Sequence, residues 1–286
     1  MNQRTLLNLG LLVLLAGLAL IAWYRPGQPP PTVAAKLNLF DANAIARIDV
    51  LRAGKDTVSL VKSGDEWRMS APLQTPADRF LVDTLLGMTK ATSYAQFDAG
   101  SVQRGDFRLD APPLTVRFDD VEIAFGDTEP LSGHRYVMAG TTIYLVDDAV
   151  FHRMTGGADT FVSRLLLPPD SRIESLALPG HAVARGADGG WVVTPEQPGI
   201  SSDDVVALVD EWSHAQAIRI SLADSVATDR SVTVQLKGET SPWRFGLLRH
   251  ESEWLLVRPD LGIQYHFTEN QYARLTTLTS GPPHGE

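Results

Sequence analysis

The chain has 286 residues, an ordinary apolar fraction, a formal net charge of −9 and no cysteine. That length accommodates one large domain or two of common size, and the composition is that of a folded protein. Lack of cysteine excludes thiolate catalysis, iron–sulfur clusters, Cys-ligated zinc, disulfides and a lipidated N-terminal cysteine, while the acidic balance argues against nucleic acid, which needs a basic face.

Residues 1–24 are expected to form a short leader and a transmembrane helix. The run from Leu6 to Tyr24 is apolar apart from Asn8, and at about 1.5 Å per residue it spans roughly 28 Å, the thickness of a bilayer's hydrocarbon core. A cleaved signal peptide has a shorter core followed at once by a small-x-small site. Here Ile21-Ala22-Trp23-Tyr24-Arg25-Pro26 follows instead, and Val33-Ala34-Ala35 comes too late. The expectation is an uncleaved signal-anchor that leaves the large domain outside the cytoplasm, in the periplasm. Trp23 and Tyr24 suit the headgroup level, and Gly10 and Gly17 share a helix face that leaves room for a neighbouring helix. Residues 25–36 carry the run PGQPPP (Pro26 to Pro31), a stiff, extended stalk.

From there the chain repeats itself. GDEWRMSAPLQTPADRFLVDTLLGM (Gly64 to Met88) aligns without a gap on DGGWVVTPEQPGISSDDVVALVDEW (Asp188 to Trp212), placing Trp67 on Trp191. In the same frame Leu81, Val82, Leu85 and Met88 fall on Val205, Val206, Val209 and Trp212. Ile45–Val50 matches Ile173–Leu178, Phe125-Gly126 matches Phe245-Gly246, and Tyr144, Phe151 and Met154 match Tyr265, Tyr272 and Leu275. The matches stay collinear, so the expected layout is a tandem duplication: unit 1 over 37–168, unit 2 over 169–280, Pro168-Pro169 at the junction and a tail at 281–286. The fold class is α+β. Each unit is read as an opening strand, a hairpin to the Trp strand, a Pro-rich crossing, an amphipathic helix, three or four alternating strands and a short closing helix. Thr75-Pro76 and Ser201-Ser202 are expected to cap the main helices, Asp147 and Thr268 the closing ones. Trp67, Trp191, Leu81, Val205, Leu85 and Val209 are expected in the core, since a position repeated in both units answers to folding. Asp78, Asp83, Asp203 and Asp204 read as first-turn acids facing a helix dipole.

Chemistry is sparse. The seven histidines form no metal-binding spacing, and His134, His152, His250 and His266 fall in or beside predicted elements. Neither a nucleophile elbow nor a phosphate loop occurs. A triad assembled from distant residues leaves no trace in spacing. The most polar loop, Gly126 to Tyr136, offers His134 and Arg135 to an anion, against the plainer reading of a wide strand connection. No catalytic, metal or cofactor-binding residue is expected.

The patterns I-x-x-I-x-V, G-D-E-W-x-M-x-x-P and P-A-D-x-F-x-V-D-x-L-L, then I-x-F-G-D, P-L-S-G-H-R-Y-V and I-Y-L-V, resemble the bacterial domain-of-unknown-function family numbered 4340. The resemblance runs closely from Leu39 to Leu166 and more loosely through the second unit, which lacks the P-A-D and G-x-x-Y-V wording. It implies an envelope protein with an N-terminal membrane helix, of a kind that accompanies ATP-binding-cassette exporters and gliding-motility-like auxiliary proteins; it brings no established catalytic residues. The expected function is a non-enzymatic periplasmic accessory or scaffold subunit of an inner-membrane, exporter-like transport complex. Its expected partners are the permease, other periplasmic subunits and the bilayer. Two alternatives stand beside it: an envelope hydrolase or glycan-modifying enzyme with an unrecognised site, and a small-ligand module in the cleft between units.

Overall fold

The computed structural model describes residues 12, 14–19, 35–222 and 228–278. Of the apolar N-terminal run, Leu12 and residues 14–19, Gly17 among them, are helical, and Leu12, Leu14, Leu15 and Leu18 are each more than half exposed. Leu6, Gly10, Trp23, Tyr24 and the PGQPPP stretch lie outside the described residues. Among the described residues no helix is long and apolar enough to cross a membrane.

The rest is α+β, built on two antiparallel sheets. A two-stranded pair, β1 (Ala35–Lys36) with β6 (Thr92–Ser93), precedes them. The first sheet contains β2 (Arg47–Arg52), β3 (Val58–Ser63), β4 (Glu66–Ala71), β5 (Thr75–Pro76), β7 (Ala95–Asp98), β8 (Leu114–Phe118), β9 (Val121–Thr128), β10 (Arg135–Ala139) and β11 (Thr142–Val146), in the order β5-β4-β3-β2-β8-β9-β10-β11-β7. The second contains β12 (Ile173–Leu178), β13 (His181–Arg185), β14 (Trp191–Thr194), β15 (Arg219–Leu222), β16 (Arg230–Leu236), β17 (Trp243–His250), β18 (Glu253–Arg258) and β19 (Ile263–Phe267), in the order β14-β13-β12-β16-β17-β18-β19-β15. The wiring is the same in both apart from the short extra edge strand β5 of the first. Three hairpin-linked strands lead into a helix (Arg79–Gly87 or Ser202–His214), the chain lands on the far edge strand, and a four-strand meander returns to it. Gly126 and Gly246 occupy like positions on β9 and β17. A Cβ on the first would stand 2.1 Å from the Phe107 carbonyl oxygen, and one on the second 2.3 Å from the Thr228 hydroxyl. In both units, therefore, the segment leading to the meander presses on the sheet at a glycine.

Helix caps depart from expectation in the first unit. Asp78, not Thr75, caps the helix Arg79–Gly87, its Oδ1 accepting from the Leu81 N–H at 2.9 Å. Thr75-Pro76 instead pairs with Arg68 and Met69 on β4. Ser201 caps Ser202–His214 as expected, in a reciprocal box with Asp204, and Thr268 does the same with Gln271 for Glu269–Thr276. Asp147 caps nothing in the helix Phe151–Met154, which starts after Val150 without a side-chain cap; its carboxylate accepts from the Tyr94 hydroxyl at 3.4 Å.

Trp67 and Trp191 do hold equivalent places, opposite Lys62 on β3 and Arg185 on β13. The gapless alignment fails just beyond them. On β4 the pairing passes from Met69 opposite Leu60 to Ala71 opposite Ser59, so Ser70 is an extra, bulged residue, whereas β14 runs on without a skip. Unit 2 is therefore one residue shorter before its helix, and Val82 corresponds to Val205 and Leu85 to Leu208. All four are buried, while Val209, expected in the core, is half-buried like its true counterpart Leu86. Trp67 and Trp191 are also only half-buried. They sit at or next to a sheet edge, where cover comes from one side, and Met69 is the inward residue of its strand. The ring that fills the second core is Trp212, fully buried, with its Nε1–H donating to the Leu275 carbonyl at 2.7 Å.

Candidate functional site

The residues bridging the units define the site. Val162 pairs with Ala77, Leu165 pairs with Gln216, and the Ser163 N–H donates to Pro76 at 2.9 Å while the Ala217 N–H donates to Arg164, also at 2.9 Å. This double attachment holds edge strand β15 beside unit 1. Between them opens a cleft of about 500 Å³, with Asp78, Phe80, Arg153 and Asp159 on one wall and Ile218, Arg219 and Ser221 on the other. Phe80 is 62% exposed, with the Arg153 guanidinium 5.2 Å from its ring centre. Arg164 stands 3.8 Å from Asp78.

Period-two alternation places Arg219 and Ser221 on one face of β15, beside His266 and Gln264 on β19. On that face runs a continuous polar chain. Ser221 Oγ lies 2.8 Å from His266 Nε2, and His266 Nδ1 lies 2.8 Å from Glu253 Oε2. Glu253 Oε2 also accepts from Arg219 Nη2 at 2.7 Å, and Ser221 Oγ lies 3.3 Å from Gln264 Oε1. His266 is only 4% exposed. Burial pushes its pKa down, against the opposing pull of the Glu253 hydrogen bond. Glu253 is held below its ordinary value by hydrogen bonds from His266 and Arg219. The imidazole is therefore neutral at neutral pH. A carboxylate can only accept, so the ring proton sits on Nδ1 and the Nε2 lone pair faces the serine hydroxyl.

The second inter-unit cavity, about 110 Å³, lies between β4–β5 and β17–β19. Arg258 grips Asp260 there through bonds of 2.9 and 2.7 Å and stacks 4.3 Å from the Trp243 ring centre. Burial pushes the Tyr265 hydroxyl up to about 12. This space falls below the roughly 300 Å³ of small-molecule sites.

His134 and Arg135 are not brought together as a binding pair. Arg135 is 7% exposed and grips Asp148 through Nε and Nη2, donates to the Gly126 carbonyl through Nη1, and lies 3.4 Å from the Phe151 ring centre. His134 stacks on Tyr94 at 3.8 Å. Among the described residues no group of three His, Asp or Glu is placed to hold a metal ion. The Ser221–His266–Glu253 chain escaped sequence reasoning because its members come from three strands; the only hint is the polar alternation in RISL and IQYHF.

A family model described as a domain of unknown function, DUF4340, matches residues 67–234. No curated protein and no solved structure matches the chain. The matched stretch begins on β4 and ends on β16, so it runs across both units, beginning later than the close resemblance expected from Leu39 and ending within the second unit, where a looser one was expected. A match over more than half of the sequence, carrying both main helices and the junction, makes the chain a member of the DUF4340 family.

Proposed function

We propose that the protein is a single-pass inner-membrane protein with a periplasmic domain of two duplicated units, 37–168 and 169–280, acting as an accessory subunit of an exporter-like transport complex. The observation that carries this reading is the outward display of Leu12, Leu14, Leu15 and Leu18 on a helical stretch within an apolar run. A helix that shows leucine to its surroundings needs lipid or protein cover. Like wiring of the two sheets supports the duplication. In the cleft, exposed Phe80 and Ile218 beside Arg153 and Arg219 combine aromatic, aliphatic and arginine contacts of the kind that anchor protein interfaces.

The test is purification from membranes in mild detergent with identification of co-purifying chains. The expected outcome is membrane fractionation with an intact N-terminus, permease and periplasmic subunits recovered together, and weaker recovery for Phe80→Ala. A soluble chain beginning near Lys36, or recovery of the protein alone after crosslinking, would overturn the proposal. The hydrolase reading has one observation in its favour, the serine–histidine–glutamate chain.

A further inference from the structure

We propose that Ser221 is a nucleophile activated by His266 and positioned through Glu253, giving the protein an acyl-ester hydrolase activity in the inter-unit cleft, beyond its accessory role. Three geometric requirements of such a centre are met. The nucleophile and base are within hydrogen-bond reach at 2.8 Å, the base is oriented by a carboxylate at 2.8 Å on its other nitrogen, and the nucleophile lines an open cleft while the base lies behind it, out of water. Arg219, bonded to Glu253, keeps that carboxylate ionised and in place. The strands that carry the three groups are hydrogen-bonded neighbours, β15 to β19 and β19 to β18, so the geometry is held by the sheet rather than by a loop.

The reaction balances without any added redox partner. His266 Nε2 takes the hydroxyl proton as Ser221 Oγ bonds the acyl carbon, and the carbonyl π pair moves onto oxygen. That pair returns as the C–O bond of the leaving alcohol breaks, and the alkoxide takes the proton from His266. Water then repeats the sequence on the acyl-serine, so one ester and one water give one acid and one alcohol. Apolar Phe80 and Ile218 on the cleft walls suit an acyl or aryl group, while the charged lining is mixed, with Asp78 and Asp159 beside Arg153 and Arg164. The substrate class is therefore an ester of an apolar acyl or aryl group.

The same chain of bonds also satisfies a buried histidine, so the experiment must separate reactivity from support of the fold. The intact protein in detergent is treated with a fluorophosphonate, which phosphonylates an activated serine with loss of fluoride, and the adduct is located by mass spectrometry. The expected result is a single adduct on Ser221 in the wild type and none in Ser221→Ala. His266→Gln is expected to slow labelling by about 10²-fold or more, the usual scale for losing a general base. Should His266→Gln fail to fold, Glu253→Gln decides. It is expected to fold, to label several-fold more slowly and to move the midpoint of the labelling rate to lower pH, because the carboxylate that favours the imidazolium is gone. No adduct on folded wild type, adducts spread over exposed serines such as Ser202, or Glu253→Gln labelling at the wild-type rate and midpoint would each overturn the assignment.

Discussion

At the scale of single residues, two histidines make stability depend on pH. Burial lowers the pKa of His266 and of His181, whose Nε2 is buried without a hydrogen-bond partner. Below their ordinary value of 6.5 the unfolded chain takes up protons that the folded chain resists. Their contribution to stability is thus present above that pH and is lost as pH falls through it. Glu253, held below its ordinary 4.5, adds a further loss in the more acidic carboxylate range. Urea midpoints are expected to fall between about pH 7.5 and about pH 5.5, less steeply in His266→Gln. A flat profile over that range would contradict a buried neutral imidazole. Arg135 teaches a related lesson: its place in the most polar loop suggested a ligand, but the side chain turns inward to Asp148, Gly126 and Phe151.

At the scale of elements, the cores rest on the two helices rather than on the paired tryptophans. Trp212→Ala empties a fully buried site and leaves the Leu275 carbonyl without its donor, so a loss of about 3–5 kcal/mol is expected. Trp67, half-buried at the sheet margin, should cost about 1–2 kcal/mol on truncation. Denaturant unfolding of the two variants checks this, and equal losses would place Trp67 in the core after all. Apolar spacing made both helices legible, yet the contact face of the second was read one residue off. A bulge at Ser70 caused that slip, and a bulge belongs to the pairing of two strands, not to either strand's own sequence.

At the scale of the whole molecule, the two units share one continuous hydrophobic core, and the 162–167 segment bonds to both. Leu166 and Leu167 are buried there, just before the Pro168-Pro169 junction. The described domain is therefore expected to unfold in one calorimetric transition, with matching calorimetric and van't Hoff enthalpies. Two separated transitions would mean that the units are independent. Fragments cut at Pro168 should lose helical signal, because the cut parts those leucines and the segment's backbone partners from unit 2.

Period-two and helical apolar spacing, read along the chain, determined the α+β class, the main helices, the meander strands and the correspondence of Trp67 with Trp191, because burial on one face imposes those periods wherever a strand or helix forms. It missed the edge strands Ala95–Asp98 and Arg219–Leu222. The Ser201 and Thr268 caps were legible for a local reason, since a cap acts within three residues, whereas Asp78, read as a first-turn acid, is the cap itself. Only the tertiary structure decided which edge strand meets which meander, and so brought Ser221, His266 and Glu253 into one line beside a cleft made by both units. Each of those residues, taken alone, is an unremarkable polar position in an alternating strand. Their proximity is created by pairing between strands up to 45 residues apart, and sequence spacing carries no record of that distance in space.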